Sequence, residues 1–368
     1  MKKEISALDL YYLVKEFQVL IDGKINQVYQ NADEFLFQFH VPSTGKKMLK
    51  ISLPSLIYLT NYKEEFPDTP PGYCQFLRKY LKNTRVRKIE QKNFERIIEI
   101  TFESKDKILI LIIELFSKGN IILCNEDYKI MSPFKNQNWK DRTIRGGTEY
   151  EFPPKQINSS ELSEKEFQTI IEESEKDSLV KILAMDLNLG GIYSEELCFR
   201  SKLNKEKKEF SKKELSALYK HFKELLEIKL EPNFCDEEIF PFNLLMSEQK
   251  DREFFETFNQ VLDEKLTNKT IKTHKETQEK KKTTKTDKVL EIINQQEQTI
   301  KGMGISADEN QKKGEFIYEH YEEIKDILLQ MNKAREKLSW KEIKEKLKGN
   351  KKIKSINEKE ATITIELK

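Results

Sequence analysis

The sequence predicts an α+β fold in which an antiparallel sheet comes first and helices follow. Between residues 24 and 133, short apolar runs follow one another so closely that hairpins are favoured over βαβ units. From residue 159 onward, apolar residues recur every three or four positions, which is typical of helices. We therefore divide the chain into an α+β domain (1–155), a helical domain (156–250), a helical arm (251–338) and a small terminal element (339–368).

The first domain begins with a helix and continues with nine strands. Ser6 followed by Asp9 predicts a capping box, and Gly23 ends the apolar helical pattern. The segment 73–81 restores a helical period between the fourth and fifth strands. The predicted strands are 24–30, 34–41, 47–53, 56–60, 85–91, 96–102, 107–115, 119–124 and 128–133.

The later part of the chain is predicted to be helical until short strand-like runs at 351–356 and 361–367. Apolar residues from Val289 to Met303 and from Ile317 to Leu338 are spaced by four and three, as in a coiled coil. Gly302 and Gly304 are expected to interrupt this seam, as a kink or as the tip of a hairpin. The seam needs a partner, which is either another segment of the arm or a second chain.

Composition and charge narrow the classes of function. Charged residues make up 35% of the chain, yet the net charge is only +2, so a uniformly basic protein is excluded. Four segments (76–92, 200–213, 269–288 and 341–354) each carry a net charge of +5 or +6. They are either solvated faces or a footprint for a long phosphate backbone. The apolar runs are too short for a membrane span, so we expect a cytoplasmic protein.

No catalytic or metal-binding group emerges from the motifs. The four cysteines and four histidines are far apart and lack metal-ligand spacing, so we expect no metal and no cofactor. Gly190 and Gly191 lie between two predicted helices, as in a helix-hairpin-helix, whose turn amides can bind a phosphate. The alternative is a simple packing turn. A basic run follows and favours the anion: Arg200, Lys202, Lys205, Lys207 and Lys208.

The adjacent pair Glu95–Arg96 lies at the start of a predicted strand. Neighbouring strand residues point to opposite faces, so both can serve one site only at a bulge or a strand start. The alternative is two surface charges beside an apolar strand. The same two readings, a binding residue or a surface charge, apply to four other charged residues: Asp9, Arg78, Arg142 and Arg145.

Six segments together resemble the NFACT family of ribosome-associated quality-control factors, which includes RqcH and NEMF and some of whose members are called fibronectin-binding proteins. In chain order they are 6–30, 70–81, 91–102, 114–123, 187–200 and 312–343. The resemblance implies a first domain similar to formamidopyrimidine-type DNA glycosylases, then a helix-hairpin-helix domain and a coiled-coil arm. It also implies an archaeal-type member of the family. The chain stops before their return helix and C-terminal RNA-binding domain, as a fragment or a natural short form.

The resemblance also implies a function. Family members bind large ribosomal subunits obstructed by peptidyl-tRNA and recruit tRNA, alanyl-tRNA in studied bacteria, to extend the stalled peptide without mRNA. The expected partners are therefore tRNA, rRNA and the large subunit, without chemistry of the chain's own. The residues implied in tRNA binding are Asp9, Glu95, Arg96, Arg78, Arg142 and Arg145. Glu95 stands where the family usually has aspartate, so the negative charge is kept but the side chain is longer.

Two other functions are weighed against this one. A glycosylase-related enzyme is disfavoured because Lys2 and Lys3 follow Met1, where those enzymes need an N-terminal proline, and because no cysteine cluster is present. A cell-surface adhesin is disfavoured by the unpaired cysteines and by an N-terminus unlike a signal peptide.

Overall fold

The computed structural model describes residues 2–153, 157–247, 251–348, 352–357, 360 and 362–366, and for 268–288 the backbone alone. The predicted boundaries at 155 and 250 and the basic segment 269–288 fall on residues, or on side chains, outside that description. The chain forms two compact units, Met1–Thr273 and His274–Lys368.

A nine-stranded antiparallel sheet dominates the first unit, in the order β4-β3-β2-β1-β5-β6-β7-β8-β9. Its register confirms the predicted hairpins, and the strand bounds differ from those predicted by two residues at most. The strands are β1 (Lys24–Asn31), β2 (Glu34–Val41), β3 (Gly45–Ser52), β4 (Leu56–Thr60), β5 (Arg85–Gln91), β6 (Ile97–Glu103), β7 (Ile108–Glu114), β8 (Asn120–Asn125) and β9 (Ile130–Pro133).

The two halves of this sheet enclose one apolar core. They join where Lys24 of β1 pairs with Arg85 of β5. Phe37 from one half and Ile98 and Leu111 from the other belong to the same buried cluster. Two helices pack on this core, α1 (Ala7–Phe17) and α2 (Gly72–Leu81).

The opposite face of β6 to β9 carries a smaller buried cluster. Ile112 and Ile122 pack there with Ile144 and Tyr150 from the segment after β9. That segment contains a two-stranded ribbon, β10 (Gln137–Asn138) and β11 (Thr143–Ile144).

Helices and a small sheet complete the first unit around a separate apolar cluster. The predicted glycine turn lies between a short helix, α4 (Leu179–Lys181), and α5 (Gly191–Arg200). After α4 the chain continues as a π-helical turn over Ile182–Asp186. Tyr12 of α1 lies in the same cluster as Tyr193, so the helical part packs directly on the first helix. The remaining elements are α3 (Glu164–Glu173), α6 (Lys212–Glu227), β12 (Asn233–Cys235), β13 (Glu238–Phe240) and β14 (Glu253–Phe254).

The arm helix α7 runs from Phe258 to Glu319. It begins later than the predicted residue 251, because Glu253–Phe254 pair with β12. The Glu16 carboxylate accepts hydrogen bonds from the Phe258 and Asn259 amides at 2.7 and 2.8 Å, so a distant side chain caps the helix.

The expected interruption at Gly302 and Gly304 is wrong, because α7 continues through both glycines. Neither has a positive φ, and a Cβ at either position would contact nothing within 4 Å. A single glycine costs a helix only about 1 kcal/mol, which a long helix tolerates. The break comes instead at His320 (φ −101°, ψ 17°).

The second unit ends in a small α+β element, whose two strands lie within the predicted strand-like runs to within one residue, and which also includes a helix from the predicted arm. Two helices, α8 (Tyr321–Arg335) and α9 (Trp340–Lys346), pack on a hairpin of β15 (Ile353–Asn357) and β16 (Thr362–Ile365). The seam residue Met331 is buried there against Ile343 and Ile356. Earlier seam residues such as Ile300 and Met303 are 69% and 67% exposed.

Candidate nucleic-acid interface

A cavity of about 390 Å³ lies where the N-terminus of α1, the β5–β6 turn and the glycine turn meet. It contains the adjacent pair that the sequence singled out, Glu95 and Arg96, and one residue of the glycine turn, Gly190. The full lining is Glu4, Ser6, Ala7, Glu95, Arg96, Phe116, Pro153, Ala184, Asn188 and Gly190.

Glu95 and Arg96 reach one cavity because they precede the strand rather than belong to it. Asn93 and Phe94 adopt positive φ angles of 50° and 54°, and the Glu95 amide donates to the Lys92 carbonyl at 2.8 Å, which closes a turn. The Phe94 side chain is 2% exposed and anchors this turn in the helical cluster. Since β6 begins at Ile97, strand alternation does not separate the two charges.

The Glu95 carboxylate is half-buried and held by the glycine turn. Asn188 Nδ2 donates to Glu95 Oε1 at 2.7 Å. Burial raises the pKa of Glu95, and the Asn188 hydrogen bond and the Arg96 charge oppose that shift only in part. The site therefore holds a carboxylate that is more easily protonated than a free one.

Arg96 is partly exposed and is held by Glu4. Its Nη1 donates to Glu4 Oε2 at 2.9 Å, and the exposed fractions of the two side chains are 29% and 67%. A partly exposed ion pair of this kind contributes about 0–1 kcal/mol to stability. An incoming anion can therefore replace Glu4 at little cost.

Asp9 does not lie where the tRNA-site prediction requires it. Its side chain is 1% exposed, and four donors converge on its carboxylate. Oδ1 accepts from Lys2 Nζ and the Tyr193 hydroxyl, both at 2.6 Å, and Oδ2 accepts from the Ser6 amide at 2.9 Å and the Ser6 hydroxyl at 2.8 Å. The predicted capping box is confirmed, and the carboxylate holds Ser6, which lines the cavity.

The glycine turn meets the cavity through its first glycine. Gly190 has φ +75°, which only glycine adopts readily, and it is the N-cap of α5 without a side-chain cap. A Cβ there would lie 3.6 Å from the Cβ of Ser6, so the turn also packs closely on α1. Gly191 is the first residue of α5. The positive end of that helix thus lies at the cavity wall.

The basic residues at the end of α5 and after it differ in whether a carboxylate binds them. Arg200 is bound by the buried Glu196, with Nε donating to Oε1 at 2.7 Å. Lys205 pairs with Glu195 at 2.9 Å, and Lys207 pairs with Glu214. Lys202 and Lys208 are exposed.

The three other predicted arginines do not line this cavity. Arg78 Nε donates to the Val28 carbonyl at 2.6 Å. Arg142 is buried, and its Nη2 donates to the buried Glu114 at 2.7 Å. Direct contact between Arg142 and RNA is therefore excluded in this conformation, since its guanidinium neutralises an internal carboxylate. Arg145 is exposed.

Sequence reasoning missed the two lining residues whose side chains bind the charged pair, Glu4 and Asn188. The signal for Asn188 is its place before the glycines, because asparagine tolerates the left-handed conformation that it adopts here (φ 57°). No sequence signal connects Glu4 with Arg96, since 92 positions separate them.

Other chemistry is sparse in the described part of the chain. No group of three or more His, Cys, Asp and Glu residues there could hold a metal ion. The cysteines Cys74, Cys124, Cys198 and Cys235 are buried and unpaired. None of the helices described combines the length and apolar character that a membrane span needs.

The chain is similar to known proteins along its whole length. A family model for the NFACT N-terminal and middle domains matches residues 6–368. The archaeal Rqc2 homolog aRqcH of Methanocaldococcus jannaschii is 32% identical, and the alignment covers 100% of this chain and 59% of that protein. Ribosome quality control complex subunit 2 of Saccharomyces cerevisiae is 36% identical over 36% of this chain and 13% of its own length. The chain thus spans less than two thirds of these relatives.

Solved structures share the fold. The N-terminal part of the fibronectin/fibrinogen-binding protein of Streptococcus suis superposes with a TM-score of 0.59 and 21% identity, over 72% of this chain and 99% of that one. The fibrinogen-binding protein of Staphylococcus aureus gives 0.58 and 23%, over 70% and 97%.

Proposed function

This chain belongs to the NFACT family, and on that premise we propose that it is a ribosome-associated quality-control factor that binds tRNA at the cavity of Glu95 and Arg96. It acts on large ribosomal subunits obstructed by peptidyl-tRNA and recruits tRNA for tailing of the stalled peptide without mRNA. Two relatives are named as ribosome quality-control proteins, which supports a role of this chain in ribosome quality control.

One observation carries the assignment to this cavity: an arginine, a carboxylate and a helix N-terminus line it together. The planar guanidinium of Arg96 can grip a phosphate in two hydrogen bonds or stack on a base. Glu95 can accept a hydrogen bond from a base, and Asn188 fixes its orientation. The N-terminal end of α5 behind Gly190 favours negative charge.

The proposal is tested by tRNA binding of an Arg96→Ala variant. Because the Arg96–Glu4 pair is partly exposed, the melting temperature should stay within a few degrees of the parent value. Affinity for tRNA should fall about tenfold, which corresponds to a lost contact of about 1.4 kcal/mol. Glu95→Asp should retain binding, since it restores the residue usual in the family.

A matched control removes a cation elsewhere on the first unit. Lys129 is exposed and does not line the cavity, so Lys129→Ala should bind tRNA like the parent protein. If Arg96→Ala unfolds the unit, or binds tRNA as tightly as the parent, the site is assigned wrongly. Co-sedimentation with large subunits, with and without peptidyl-tRNA, tests the ribosomal part of the proposal. Equal binding to both would contradict it.

A further inference from the structure

Strand register brings four basic residues from four strands into one row across the sheet. Lys46 of β3 lies opposite His40 of β2, and His40 lies opposite Lys24 of β1. Lys24 in turn lies opposite Arg85 of β5, at the join of the two half-sheets. Directly opposed residues of antiparallel strands share a face. The row, here called the cation row, is about 14 Å long at a strand spacing of about 4.8 Å.

The middle of the cation row is not neutralised by the protein. Lys24, His40 and Lys46 are exposed, and in the part of the chain described here no carboxylate lies within ion-pair distance of them. Arg85 lies 3.9 Å from Asp22. The next residue across from Arg85 is Glu103, which is bound by Arg87 instead.

This arrangement opposes stability. Lys24 and Arg85 are like charges directly opposite each other, which is destabilising in a sheet. Lys46 lies two strands from Lys24 on the same face, with His40 between them. The neighbouring turn adds another exposed cation, Lys82, because the Asn83 amide donates to the Ile25 carbonyl at 2.9 Å and holds that turn beside β1. A phosphate backbone that lies along the row would offset the repulsion between Lys24 and Arg85 and would also reach Lys46.

We propose that the cation row is a second RNA contact, which holds the phosphate backbone of the RNA bound by this protein. It lies outside the Glu95–Arg96 cavity and rests on the proposed function for the identity of the polyanion. Lysine ammonium groups contact phosphates as point charges without reading sequence, so this surface adds affinity and orientation rather than base specificity.

The test is the salt dependence of tRNA binding by a Lys24→Gln/Lys46→Gln variant. Each phosphate neutralised contributes about 0.7 (single strand) to 0.9 (duplex) to the slope of log K against log salt. Two lost contacts should therefore lower that slope by about 1.4–1.8, measured with unfractionated tRNA between about 50 and 200 mM salt. The urea midpoint should not fall, since a repulsion has been removed.

Two further variants make the result decisive. Lys129→Gln/Lys165→Gln removes the same charge from exposed positions outside the row and should keep the parental slope. Lys24→Arg/Lys46→Arg preserves the positive charges and should also keep the parental slope. Any of three results would overturn the inference. The glutamine variant of the row could keep the parental slope, the Lys129 and Lys165 control could show an equal fall, or the arginine variant could show a fall. If those results come while Arg96→Ala still weakens binding, the proposed function stands without the row. If the parent protein does not bind tRNA, both fail.

Discussion

The carboxylate of Asp9 offers the sharpest test of the structure, because the sequence suggested a tRNA contact and the structure shows an internal ion pair. The Lys2 ammonium that it neutralises is itself 8% exposed. In an Asp9→Asn variant the side chain keeps its shape, but one of the two carboxylate oxygens becomes an amide NH₂. The two donors that bound that oxygen then face another donor, and the Lys2 ammonium loses its counter-charge. Breaking a buried pair by removing one partner costs about 3–5 kcal/mol. We expect a loss of that size in the free energy of unfolding.

The assay is urea unfolding followed by tryptophan fluorescence. The chain has two tryptophans, Trp139 in the first unit and Trp340 in the second. A Trp340→Phe background therefore reports the unfolding of the first unit alone. A double-mutant cycle with Lys2→Met isolates the pair, because the double variant leaves neither charge unpaired.

The cycle has a definite expected outcome. Lys2→Met should cost less than Asp9→Asn, since the Asp9 carboxylate keeps Tyr193 and Ser6 as donors. The two costs should be non-additive by about 0.5–3 kcal/mol, with the double variant more stable than their sum predicts. If Asp9→Asn stays within about 1 kcal/mol of the parent and instead loses tRNA binding, the description of Asp9 as an internal anchor is refuted.

Three other predictions rest on burial and exposure. Arg142→Met should destabilise the first unit by about 3–5 kcal/mol, because it leaves the Glu114 carboxylate buried and uncompensated. The double variant Arg142→Met/Glu114→Gln should recover part of that loss. A melting temperature of Arg142→Met within about 1 °C of the parent value would contradict the buried pair. Burial raises the folded-state pKa of Glu95, so the stability of the parent relative to Glu95→Gln should be highest at acidic pH and fall as the pH rises through that pKa; a pH-independent difference in urea unfolding would contradict it. The exposed seam around Ile300 and Met303 should make the chain self-associate with rising concentration, and Ile300→Asp should reduce this in light scattering; identical monomeric behaviour of both proteins would show that the seam is not a pairing surface.

Much of the fold was predictable because its signals are local. Alternation in the first domain predicted nine strands and their antiparallel pairing, and the Ser6–Asp9 capping box predicted the first helix. The arm was predicted less well. The sequence predicts a kink or a hairpin tip at Gly302 and Gly304, yet the helix continues through both, because their modest local propensity is outweighed by the helix on either side.

The candidate site was predictable only in part. The adjacent charges Glu95 and Arg96 and the glycine turn at Gly190 were found as separate motifs, and the structure brings them to one cavity. Arg142 had the same standing in the sequence as Arg96, yet it is buried against Glu114. An arginine in a sequence looks the same whether it faces solvent or an internal carboxylate.

The sequence by itself determined the order of elements, the pairing of neighbouring strands and the family, because periodicity and turn residues act over a few positions. Only the tertiary structure decided which charges are available to a partner. The decisive contacts join residues far apart in the chain: Asp9 with Tyr193, and Glu95 with Asn188. The cation row likewise exists only through strand register. Whether a charge is buried, paired or free depends on what the rest of the chain brings to it, and that information is not local.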